Sequence, residues 1–125
     1  PLYSSAASDV YKRQAYRRVA LEARIEASGS ADLTRICLEE AQAALGQALI
    51  ALERAQTPPS EPLTRAQTIM LWLARSVAPE HPLGSSLKAF YGGLAGQIGA
   101  NILQANSQDL AEIHNDISDL LEAAG

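Results

Sequence analysis

The chain has 125 residues, 47% of them hydrophobic, and a formal net charge of −4 at pH 7. That length suits one domain with enough apolar content to bury a core, and the acidic balance argues against a nucleic-acid binder that works by neutralising phosphates. The single cysteine, Cys37, excludes an intrachain disulfide and a cysteine-based zinc site.

Residues 1–14, Pro1 to Gln14, have no clear period and resemble translated adaptor sequence at the broken end of a gene fragment. They are set aside from functional reasoning. A patterned chain begins at Ala15. A short helical stretch over about 15–27 places Tyr16, Val19, Ala20 and Ala23 on one face, and Ser28-Gly29-Ser30 ends it. Residues 15–29 then form a short N-terminal segment ahead of the main domain, residues 30–125. Ser30 is placed to cap the next helix, with Asp32 favourable in its first turn. That helix carries Leu33, Ile36, Cys37, Ala41, Ala44, Leu45, Ala48, Leu49 and Leu52 at spacings of three and four, and is expected to end near Gln56, ahead of Thr57-Pro58-Pro59.

Ser60 opens the second long helix, with Pro62 tolerated in the first turn, where its missing amide is not needed. Leu63, Ala66, Met70, Leu73 and Val77 supply its apolar stripe. Ile69-Met70-Leu71-Trp72-Leu73 nevertheless runs apolar around the whole circumference, whereas a helix on the surface of a bundle needs one stripe. Ile69 and Trp72 are therefore surplus and require a second apolar neighbour, from this chain or from another protein.

The third long helix is expected to begin near Pro82 and carries Leu83, Leu87, Phe90, Tyr91, Leu94, Ile98 and Ile102. Gly92, Gly93, Gly96 and Gly99 lie inside it, each costing about 1 kcal/mol of helix propensity relative to alanine. Gly92, Gly96 and Gly99 fall at i, i+4 and i+7, which clears one side for a close backbone approach. That approach is either tight packing within the bundle or a shallow groove for a helix from another chain. Ser107 is expected to cap the last helix, with the stripe Leu110, Ile113, Ile117, Leu120 and Leu121. Four long helices with short connections predict an all-α, antiparallel up-and-down four-helix bundle, with the short N-terminal helical segment as an extra.

Charge is unevenly placed. Six of the ten basic residues precede Ile36, and beyond Arg75 only Lys88 is basic, while the last helix carries Asp109, Glu112, Asp116, Asp119 and Glu122. This face is either solvated or a docking surface for a basic partner. Catalytic patterns are lacking: His81 and His114 are far apart, no Glu-x-x-His pair occurs, and no serine stands in a nucleophile elbow. The expectation is a protein that is not an enzyme and takes no cofactor or metal. No apolar run approaches the length needed to cross a bilayer and no signal peptide is visible, so a reducing cytoplasm is the expected compartment.

Several segments carry a family resemblance. Ala15-Tyr16-Arg17-Arg18-Val19 leads into Leu33-Thr34-Arg35-Ile36-Cys37-Leu38-Glu39-Glu40-Ala41. Further on come Leu63-Thr64-Arg65-Ala66-Gln67-Thr68-Ile69, Leu87-Lys88-Ala89-Phe90-Tyr91 and an acidic final helix. In order and spacing these resemble the flagellar secretion chaperone family, the FliS-type flagellin chaperones, over essentially everything from Ala15 onward. The chain departs from the family pattern in three places. Ser28-Gly29-Ser30 stands where Ala-Ser-Pro is usual, Glu40-Ala41 replaces an acid-Gly-Ala step, and the third helix is richer in glycine.

The resemblance implies a bacterial cytoplasmic four-helix bundle that binds the C-terminal helical region of flagellin. It would prevent premature polymerisation and deliver the subunit to the export gate of the flagellar type III apparatus. Carried over, Tyr16 and Val19 would form a removable lid, and the groove would comprise Ile69 and Trp72, with Leu94 and Ile98 beside the small Gly92, Gly96 and Gly99. A monomer or weak homodimer is expected, with no nucleic acid and no membrane insertion. The alternatives are a self-associating structural bundle, in which the surplus apolar faces meet across a two-fold axis, and a regulatory adaptor that docks through the acidic last helix.

Overall fold

In a computed structural model, the described residues are 30–57 and 60–124. They form four helices: α1 (Ser30–Glu53), α2 (Ser60–Ser76), α3 (Gly84–Leu103) and α4 (Ser107–Ala124). Among the described residues there is no strand, and the fold is an all-α four-helix bundle. Residues 1–29, with Tyr16, Val19 and the adaptor-like start, lie outside the described residues. Packing is described for Cys37–Gly125, a compact unit by itself.

The short connections return each helix alongside its predecessor, and polar contacts identify the neighbours. Arg65 of α2 reaches Glu40 and Gln47 of α1. Gln67 of α2 donates to the Ala95 carbonyl of α3, and Gln42 of α1 donates to Ser118 of α4. α3 packs on both α2 and α4. The enclosed core is made by Leu38, Leu45, Leu63, Met70, Ile98, Leu110, Ile113 and Ile117, all essentially without solvent exposure. All but Leu38 lie on the stripes expected from periodicity, as do the buried Ala41, Ala44, Ala48 and Ala66; with Ala95, these small side chains let the helices approach closely.

The helix ends differ from expectation in three places. α1 stops at Glu53 because Ala55 adopts a left-handed backbone, φ 54°. The Gln56 amide then bonds back to the Ala51 carbonyl at 2.8 Å, a Schellman closure formed without glycine. α3 begins at Gly84, not Pro82, because a turn intervenes. The His81 amide donates to Ala78 and the Gly84 amide to His81, while His81 Nδ1 accepts from the Leu83 amide at 3.0 Å. The cap of α4 is Asn106 rather than Ser107: its Oδ1 accepts from the Asp109 amide at 3.0 Å, the geometry of a side-chain N-cap.

One buried polar residue ties the last connection. Asn101 is almost wholly enclosed. Its Nδ2 donates to the Gln97 carbonyl at 2.9 Å, and its Oδ1 accepts from the Asn106 amide at 2.8 Å. Replacing Asn101 with alanine removes the acceptor and leaves that amide without it, at an expected cost of about 1–3 kcal/mol. A urea titration should show the midpoint falling accordingly, and an unchanged midpoint would mean that water replaces the amide's partner.

Candidate partner-binding surface

Whether the surplus apolar residues of α2 find a neighbour within the chain has a divided answer. At 100° per residue, Arg65 and Ile69 share a flank, and Arg65 faces α1. Its Nη1 bonds Glu61 Oε1 at 2.6 Å, Nη2 reaches Gln47 Oε1 at 3.5 Å, and Nε lies 3.2 Å from Glu40 Oε1. The last contact is an ion pair without hydrogen-bond alignment. Ile69, on that covered flank, is 9% exposed. Trp72 and Leu71 remain open, at 41% and 39%. Ser76 Oγ bonds the Trp72 carbonyl at 2.8 Å, holding the final turn of α2 beside the exposed indole.

The other expected groove residues separate in the same way. Leu94 and Ile98 are core, at 3% and 0% exposure, and as the chain stands they present no surface to a partner. Their shared stripe with Tyr91 points inward between α2 and α4. Gly96 is exposed and Gly92 and Gly99 are half-buried. Among the described residues, a Cβ built on Gly92, Gly93 or Gly96 would meet nothing within 4 Å. These positions are open, and no helix of the unit presses against them. Gly99 is different, since a Cβ there would stand 2.5 Å from Gln67 Nε2, the atom that bonds Ala95. Of the three spaced glycines, then, only Gly99 permits a close approach inside the bundle.

Periodicity alone missed a second open apolar area. Phe90 and Tyr91 were both on the expected stripe, but neighbours in a helix point 100° apart, and here only Tyr91 faces the core. Tyr91 is buried and Phe90 is 41% exposed, the two rings meeting edge to face at 6.5 Å. Leu83, just ahead of α3, with Ser86, Leu87 and Phe90 of α3 and Leu120 of α4, lines a shallow depression of about 270 Å³. Its volume is below the roughly 300–1,000 Å³ of a small-molecule site.

The surface offers little for chemistry. Among the described residues no group of histidine, cysteine, aspartate and glutamate gathers as a metal site. Cys37 is buried, and desolvation raises its thiol pKa, which keeps it protonated and unreactive. Burial likewise raises the Tyr91 phenol. No helix among the described residues is long and apolar enough to cross a membrane. No family model, curated protein or solved structure matches the chain.

Proposed function

We propose that this protein is an export chaperone of the FliS type, which holds the C-terminal helical region of flagellin and hands it to the export gate. The observation that carries the reading is Trp72, two-fifths exposed beside Leu71 in the C-terminal half of a helix whose opposite face is buried. An indole so placed costs free energy in water and serves as an anchor when a partner covers it. Beside α2, the open Gly92 and Gly96 of α3 leave room for a second backbone to lie along the bundle. A disordered client with apolar residues at helical spacing would fold as it docks, its ordering cost offset by the apolar area buried. The order of motifs from Ala15 onward supports flagellin as that client.

The test is isothermal titration of the chain with the C-terminal region of its own organism's flagellin. Saturable one-to-one binding with a negative heat-capacity change is expected. Trp72→Asp should weaken it by about 2 kcal/mol or more, roughly 30-fold, with helicity unchanged because the side chain is outside the core. No binding by a fully helical wild-type chain would overturn the reading. A mass that doubles with concentration would then favour the self-associating bundle.

A further inference from the structure

The depression between α3 and α4 has an electrostatic asymmetry that identifies what fits it. Its floor and walls are Leu83, Leu87, Phe90 and Leu120, with Ser86 the one polar contributor. Phe90 and Leu83 are among the most exposed large apolar side chains of the described residues. On α4, Asp116 and Asp119 lie within about one turn of Leu120 and within about 100° of it around the helix, so the rim on that side carries carboxylates. α4 contains no lysine or arginine. Lys88, the one cation of α3, stands roughly 160° around its helix from Phe90, away from the depression. Among the described residues no ion pair involves the α4 carboxylates. Glu122, in the last turn, adds negative charge at the negative end of the helix dipole, where anions are disfavoured.

We infer that this depression is a docking site for a basic amphipathic helix of another protein. Its apolar residues, spaced three and four apart, enter between Leu83, Phe90 and Leu120, and its lysines or arginines meet Asp116 and Asp119. Three arguments select this occupant. The volume suits side-chain anchors rather than a small molecule. The carboxylate rim selects positive charge and strengthens its encounter. A second copy is disfavoured because a two-fold axis through the depression would set the carboxylate rims of both copies against each other. The inference does not depend on flagellin being the client, since it concerns α3 and α4 rather than Trp72.

The probe is a fluorescein-labelled peptide with leucine at helical spacing and lysine elsewhere, compared with the same peptide carrying glutamate for lysine. Fluorescence anisotropy with the full chain should give saturable binding of the lysine peptide alone. The affinity should fall as salt is raised from about 0.05 to 0.3 M. Phe90→Ser and the double change Asp116→Asn with Asp119→Asn should each weaken binding about tenfold. The asparagine variants are near-isosteric on a partly exposed face and keep the fold. Ile50→Ser, which removes an exposed apolar residue of α1, should leave the affinity unchanged. Equal binding of both peptides, loss on Ile50→Ser but not Phe90→Ser, or absence of binding would each overturn the inference. So would a concentration-dependent dimer that Phe90→Ser abolishes, which would assign the depression to a second copy.

Discussion

Ile98→Ala is expected to destabilise the bundle by roughly 2–5 kcal/mol, the range for removing a fully buried aliphatic side chain and leaving a cavity. Ile98 has no solvent exposure, and it packs inward on the stripe of Tyr91 and Leu94. Against a total stability of about 5–15 kcal/mol for a domain of this kind, the loss is large enough to move the urea midpoint well down with little change in slope. The measurement also separates two roles for this residue. A groove residue that waits for a partner would lose little stability and much affinity on truncation. A cost below about 1 kcal/mol would place Ile98 at the surface after all. Trp72→Asp is the complementary case, with affinity lost and stability kept.

The second large effect has the opposite sign. Changing Gly92, Gly93 and Gly96 together to alanine should raise stability by about 2–3 kcal/mol. All three lie inside α3, none has a positive φ, and among the described residues an added Cβ would meet nothing within 4 Å at any of them. Alanine therefore restricts the unfolded chain and favours the helix without steric conflict. Gly99→Ala should not share the gain, because Gln67 must move and its bond to the Ala95 carbonyl, 3.3 Å, is strained or lost. Thermal or urea unfolding of the triple variant beside Gly99→Ala reads the contrast directly. A triple variant no more stable than wild type would mean that α3 meets a neighbour at those positions. If the open glycines receive a client helix, the stabilised variant should also bind flagellin more weakly, since methyl groups would fill the space the client uses.

The contrast among the glycines shows where reading a chain without its fold stops. Their cost to helix propensity is a property of the residue and was legible, as was the i, i+4, i+7 spacing. Whether anything lies against them depends on where α2 runs, and among the described residues only Gly99 is approached, by the Gln67 side chain of α2. The same distinction applies to Ile69 and Trp72. Both were recognisable as surplus to one stripe, but Ile69, on the flank where Arg65 pairs with Glu40 of α1, is buried, whereas Trp72 stays open.

By itself the sequence determined that this protein is helical, where its four long helices lie and which residues form the central stripe. Those features follow from the 3.6-residue period and from proline, glycine and side-chain caps acting within a few residues. Only the tertiary structure decided the edges of each stripe. It turned Tyr91 inward and Phe90 outward, and assembled the depression from Leu83 ahead of α3, Phe90 of α3 and Leu120 of α4. The physical reason is that a residue at the margin of an apolar face is buried or exposed according to the position of the next helix. That position is set by packing across the whole bundle, and no local pattern encodes it.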